Sequence, residues 1–130
     1  MKIWLIQIDK TDEKWLIEGI EKYEKRLKHY ILFESKTFLI PKSVRSKTVE
    51  EQKKEEGKIL VKAIEKMDQV FLLDEKGKQH SSAQFAQLLQ KSANEGKKNI
   101  CFVIGGPYGF SEEVYAAIKT KIGLSEMTFS

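Results

Sequence analysis

The chain has 130 residues, 41% hydrophobic and 32% charged, a balance that suits one folded domain with its own core and excludes a disordered polymer. Its 23 Lys and Arg against 19 Asp and Glu leave a formal net charge of +4, which permits a polyanionic partner such as RNA without requiring one. Cys101 is the sole cysteine, which excludes an internal disulfide, and no apolar run reaches membrane-spanning length, so a cytoplasmic protein with no membrane partner is expected.

Residues 3–8 form a nearly continuous apolar run, predicting a strand covered on both faces. Thr11 offers a helix N-cap with Asp12 and Glu13 in the first turn. Leu16, Ile20, Tyr23 and Leu27 follow at helical spacing and predict one buried stripe. Residues 31–40 read as a second strand, interrupted by the polar stretch 34–37 and therefore suited to a sheet edge. Residues 41–47 form a loop bearing Lys42, Arg45 and Lys47. Thr48 and Glu51 have capping-box spacing and open a helix to about Met67, with Leu60, Ala63, Ile64 and Met67 inward. Its charged first half, residues 50–58, reads as a solvated face.

Residues 70–74 predict a buried strand and 75–78 the turn after it. Ser82 is placed to cap a helix with Phe85, Leu88 and Leu89 inward and Gly96 just past its end. Residues 100–104 predict the next strand, with Cys101 as a small core residue. Ser111 caps a last helix with Glu112 and Glu113 at its positive end and Val114, Ala117 and Ile118 inward. Gly123 ends it, and residues 124–130 begin something further. The alternation points to a single α/β domain with a mostly parallel sheet flanked by helices. His29 and His80 lack ligand spacing, so no metal site is expected.

The stretch Ile104-Gly105-Gly106-Pro107-Tyr108-Gly109-Phe110-Ser111 joins a buried strand to a helix, where open α/β sheets bind ligands. Its glycines let backbone approach a ligand closely, and a plain strand-to-helix turn is the competing reading. It matches neither G-x-G-x-x-G nor a G-K-[ST] phosphate loop, so an unrelated nucleotide-binding α/β protein is the poorest reading. Asp74 and Glu75 are neighbours on a strand and point to opposite faces, which argues against a catalytic acid pair.

Three blocks occur in a fixed order: Leu72-Leu73-Asp74-Glu75-Lys76-Gly77, then Phe102-Val103-Ile104-Gly105-Gly106-Pro107-Tyr108-Gly109, then Leu124-Ser125-Glu126-Met127-Thr128-Phe129. With Lys10, Tyr23-Glu24-Lys25-Arg26-Leu27 and Glu56-Gly57, they resemble the ribosomal RNA large subunit methyltransferase H family of the SPOUT superfamily, over residues 1–130. The resemblance implies a SPOUT α/β fold with a trefoil knot, a homodimer, and transfer of a methyl group from S-adenosyl-L-methionine to N3 of a pseudouridine in large-subunit (23S) ribosomal RNA. By motif it implies cofactor contacts from Leu73, Gly106, Ser125, Glu126, Met127, Thr128, Phe129 and Ser130, and it marks no catalytic residue. Such a donor carries its own leaving group, so alignment matters more than a strong nucleophile.

Two departures stand out. Asp9 precedes Lys10 where the family usually has a small residue, often glycine. Members also carry a further helix beyond the position of Ser130, so the expectation is that such a tail follows. Without it, the alternative reading is a catalytically incomplete SPOUT-like module that binds S-adenosylmethionine or RNA without methyl transfer. Lys10, Lys42, Arg45 and Lys47 are the candidates for phosphate contacts, with ordinary surface cations as the competing reading.

Overall fold

A computed structural model of the chain describes residues 1–127. In chain order its elements are β1 (Lys2–Ile8), α1 (Lys14–Leu27), β2 (Leu32–Phe38), α2 (Lys42–Arg45), α3 (Val49–Ala63), β3 (Gln69–Gln79), α4 (Ser82–Asn94), β4 (Asn99–Ile104), α5 (Glu112–Ala117) and β5 (Lys121–Gly123). The five strands form one sheet in the order β2-β1-β4-β3-β5, with every pairing parallel. The expected α/β class, with helices flanking a parallel sheet, is the observed one.

Side chains alternate across each strand, and both faces are covered. On one face Ile6, Ile8, Val70, Leu72, Cys101 and Val103 pack with Leu60, Ile64 and Val114 around α3 and α5. On the other, Phe71, Ile100, Phe102 and Ile122 pack with Phe85, Leu88 and Leu89 of α4. There the Phe102 ring stacks on Phe71 at 5.3 Å between centroids and meets Phe85 at 5.7 Å. Cys101 is fully buried, and desolvation pushes its thiol pKa up to about 12, as expected of a core residue rather than a nucleophile.

Helix ends follow local chemistry, with some shifts from expectation. Thr48 caps α3 by accepting the Glu51 N–H, and Ser111 caps α5 by accepting that of Val114. For α4 the cap is Ser81, not Ser82, because Gln84 completes a reciprocal capping box with it. For α1 it is Glu13, with no side-chain cap bond, rather than Thr11. Residues 42–45 are a short helix rather than loop, started by Pro41, whose fixed φ suits such an entry. Helix α3 ends at Ala63, short of Met67.

Three expectations fail for tertiary reasons. The apolar stripe of α1 is not buried: Leu16, Ile20, Tyr23 and Leu27 all stay substantially exposed. With Leu5 of β1 and Phe33 of β2 the helix encloses an open apolar groove of about 410 Å³. Periodicity identifies an apolar face but not what covers it. Ala117 is exposed rather than inward, because α5 ends there.

Gly123 does not end a helix. It lies in β5, beside the stretch expected to be a turn, which β3 instead carries on through to Gln79. Ile122 pairs with both Leu73 and Lys78, so residues 74–77 arch out between the two pairings. A Cβ on Gly77 would come within 2.5 Å of the Ile122 carbonyl carbon, and one on Gly123 within 2.6 Å of the Gly77 carbonyl oxygen. Only glycines allow this backbone-to-backbone approach. Gly77→Ala and Gly123→Ala are each expected to destabilise the fold by about 3 kcal/mol, the upper end of ordinary overpacking. Gly19→Ala, on α1 with open space around it, should instead stabilise by up to about 1 kcal/mol through helix propensity. Urea unfolding of the three variants checks the contrast.

Candidate functional site at the carboxyl ends of the strands

All parallel strands release their chain at the same edge, and the loops there collect what chemistry this sheet can offer. Strand β4 ends at Ile104, and Gly105 leads into a tight turn. The Gly109 N–H donates to the Gly106 carbonyl at 3.1 Å, the two glycines form an isolated bridge, and Gly109 has φ +80°. Pro107 presets the turn, while Pro107 and Tyr108 stay exposed. The chain re-enters the core at the buried Phe110 and Ser111.

Leu73 of β3 pairs with Ile104 on one side and with Ile122 on the other. This brings three of the sequence-identified segments to one edge: the half-buried Leu73, the glycine turn with Gly106, and the chain leaving β5. Of the last, Leu124 and Met127 are exposed, at 75% and 70%, Ser125 is half-buried and Glu126 exposed. The Ser125 hydroxyl accepts the Met127 N–H at 3.1 Å. Thr128, Phe129 and Ser130 lie outside the described residues. Ile104 keeps 39% of its surface exposed, so this edge offers apolar side chains next to glycine backbone. A ligand with a flat apolar part and polar ends fits those residues; a bare phosphate, which needs cations or a ring of free N–H groups, does not.

Asp74 and Glu75 do not form an acid pair. Asp74 is buried; it accepts the Tyr115 hydroxyl on one oxygen and the Lys76 N–H, at 2.8 Å, on the other. Glu75 is exposed. Tyr115 is correspondingly held protonated well above its ordinary range, by burial first and then by the Asp74 bond. The pair ties α5 to β3.

The residue that sequence reasoning missed is Glu56. The first half of α3 reads as a solvated charged face, yet Gln52, Glu56 and Gly57 are buried along with Leu60. Spacing of four puts Gln52, Glu56, Leu60 and Ile64 on one stripe, and only its last two members look apolar. Glu56 is 3% exposed, and among the described residues neither carboxylate oxygen finds a hydrogen-bond partner. It lies directly under the glycine turn: a Cβ on Gly106 would sit 1.9 Å from Glu56 Oε1. Gly106 is therefore a glycine because a carboxylate occupies the space of its side chain.

Glu56 is part of the wall of a cavity of about 250 Å³ lined also by Asp9, Ile40, Arg45, Gln52, Pro107 and Tyr108, its two carboxylate oxygens lying behind that wall with almost no exposed surface. Asp9, just after β1, has φ +68°, the left-handed region where glycine is usual and Asp is among the tolerated exceptions. Its carboxylate accepts the Lys10 N–H at 2.9 Å and pairs with the Arg45 guanidinium. Arg45, a candidate phosphate contact, is thus paired with Asp9 while staying exposed, and Lys10, Lys42 and Lys47 are exposed as well.

Comparison with known proteins bears on this edge. A family model described as a predicted SPOUT methyltransferase matches residues 1–130. The chain is 48% identical to the ribosomal RNA large subunit methyltransferase H of Parabacteroides distasonis, over all of this chain and 83% of that protein. It is 49% identical to the protein of the same name from Christiangramia forsetii and 48% to that from Flavobacterium psychrophilum, with the same coverage.

Burial, with a smaller push from the Asp9 carboxylate, raises the Glu56 pKa above its ordinary 4.5. A carboxyl whose folded pKa is raised favours the folded chain below its unfolded value, and that contribution is lost as pH rises through the folded one. Asp68 works in the opposite sense, its pKa lowered by the N–H groups of Asn99 and Lys98, so a difference measurement is needed. Urea stability of the wild type minus that of Glu56→Gln is expected to fall as pH rises from about 4.5, then level off. A flat difference would remove the case for a perturbed Glu56.

Proposed function

The chain belongs to the SPOUT methyltransferase family, and on that premise we propose that it transfers a methyl group from S-adenosyl-L-methionine to N3 of a pseudouridine in large-subunit (23S) ribosomal RNA. The observation that carries the reading is the convergence of Leu73, the Gly105–Gly106 backbone and the chain after β5 on one sheet edge. Relatives with whole-chain similarity bear the name ribosomal RNA large subunit methyltransferase H, which supports the ribosomal substrate.

In this reading residues 1–130 are one SPOUT methyltransferase domain. Leu73, Gly106, Ser125, Glu126 and Met127 hold the cofactor, together with Thr128, Phe129 and Ser130. When bound, S-adenosylmethionine supplies a sulfonium methyl that needs no activation by the protein. The chain's own part is alignment. Leu73 and Ile104 form an apolar floor, and the glycine backbone brings the donor close to its acceptor without a side chain intervening. The arch of residues 74–77 around β5 supports a knotted arrangement of these loops. The uncovered apolar face of α1 supports a homodimer, since apolar faces of this kind mark association surfaces. The protein works in the cytoplasm, where its ribosomal substrate is.

The test uses ribosomes from cells lacking the modification. Incubated with methyl-labelled S-adenosylmethionine and the protein, their large-subunit RNA is expected to gain label at one pseudouridine. Gly106→Ala, which must push Glu56 and the turn apart, should lower the rate about tenfold or more, the equivalent of about 1.4 kcal/mol in the barrier. Cofactor binding by calorimetry with no transfer to any ribosomal RNA would instead favour a binding module.

A further inference from the structure

The cavity beside the glycine turn is lined by neither Leu73 nor the chain after β5. Its lining is unusual in one respect: a carboxylate buried to 3% exposure with both oxygens unpartnered among the described residues. Leaving such a group without a hydrogen bond is costly, and the cost is recovered where a ligand supplies the donor. At about 250 Å³ the cavity is just below the range of about 300–1,000 Å³ usual for drug-sized ligands. That room suits one planar ring rather than a nucleotide or a whole cofactor.

We propose that this cavity is the socket for the target base, and that Glu56 accepts the imide N–H of a uracil-type ring. The inference rests on the methyltransferase reading above and adds to it the residue that receives the proton. A uracil-type base presents carbonyl, N–H and carbonyl in sequence along one edge. Glu56, whose oxygens lie just behind the cavity wall under Gly106, meets the central N–H once the base displaces the turn. The Gln52 amide can donate to one carbonyl. The Arg45 guanidinium, with five N–H groups and one carboxylate partner, has donors left for the other. The exposed ring of Tyr108 is placed to stack on the base, as aromatic side chains do with bases drawn out of RNA structure. Cytosine would set a ring nitrogen lone pair and an amino group against Glu56 and Gln52, so the lining selects against it.

The chemistry balances. N3 passes its proton to a Glu56 oxygen and forms the new bond to the methyl carbon, leaving the old bonding pair on sulfur. Glu56 then releases the proton to solvent. The charged and titratable groups facing Glu56 are Asp9 after β1, Arg45 of α2 and Tyr108 of the turn. Asp9 disfavours a second negative charge there, which makes Glu56 a stronger base than a solvated carboxylate. The Arg45 pairing keeps Asp9 itself from serving as the acceptor.

Two measurements on the full chain test this, the first independent of activity. In NMR titrations with free nucleosides, pseudouridine and uridine are expected to perturb Gln52, Glu56 and Tyr108. Cytidine and N3-methylpseudouridine should bind at least about tenfold more weakly, and Glu56→Ala should abolish the preference. Glu56→Gln keeps an acceptor oxygen and should keep binding. In the second measurement, methyl transfer by Glu56→Gln should fall about 100-fold or more, the usual share of a general base. Its remaining rate should climb with pH as the imide ionises unaided. Nucleosides that bind elsewhere, or equal binding of cytidine, would overturn the socket whether or not the protein methylates RNA. A wild-type protein active on RNA with Glu56→Gln equally active would overturn the role of Glu56 while leaving the function intact. An inactive wild type that still binds uridine over cytidine at Glu56 would support the socket and count against the methyltransferase reading alone.

Discussion

A parallel sheet cannot turn directly back on itself; each strand is regained by a crossover on one face or the other. In this chain that constraint decides almost everything that follows. Because all five strands run the same way, their carboxyl ends open onto one edge. Leu73, Ile104, Asp9, Ile40 and Gly123 therefore lie at a common level although they are scattered through the sequence. The helices needed for the crossovers cover both faces and leave that edge as the open margin of the sheet. The glycine turn after β4 sits on a central strand, with β3 to one side and β1 to the other. It is the natural divide between an apolar shelf and a polar cavity.

The two halves of that edge differ electrostatically. On the β3 and β5 side the half-buried Leu73 is apolar, Glu75 and Glu126 are exposed, and the buried acidic residue, Asp74, has both oxygens occupied. On the β1 side Asp9 is matched to Arg45, but Glu56 is buried beside them with no hydrogen-bond partner among the described residues. A single ion pair cannot serve two carboxylates, and the geometry gives the guanidinium to Asp9. Gly106 lies across the boundary, its backbone belonging to the turn and its missing side chain replaced by Glu56. Moving either residue therefore disturbs both compartments.

Much of the fold was legible because strands and caps are local matters. The apolar runs of β1, β3 and β4, the Thr48 and Ser111 caps, the edge position of β2 and the positive φ of Gly96 all follow from residue chemistry over a few positions. The glycine turn was legible as a strand-to-helix turn for the same reason. What was not legible depended on partners distant in sequence. The stripe on α1 looks like a core face, yet no part of the described chain covers it. Gly123 looks like a helix stop because its real neighbour, Gly77, is 46 residues earlier. Glu56 was hidden by a sound rule, since charged helical residues are usually solvated. Its spacing of four from Leu60, and the place of Glu56-Gly57 in the family resemblance, were the two hints otherwise. The Asp9 departure, unexplained from sequence, resolves once its positive φ and its hold on Lys10 and Arg45 are seen.

The contact between Gly77 and Gly123 also bears on the order of assembly. Strands β1 to β4 and the crossovers between them supply both core clusters apart from Phe110 and Val114, on the last crossover, and Ile122 of β5. The arch of residues 74–77, by contrast, has nothing to close around until residues 121–123 arrive, 44 or more positions later. Long-range pairings of this kind are slow, because loop entropy is lost before contacts repay it. A chain emerging from the ribosome would form the four-stranded body first and seat β5 last. The segment carrying Ser125 to Met127 reaches its place only with that final step, so the shelf beside Leu73 is completed after the body that supports it has already set.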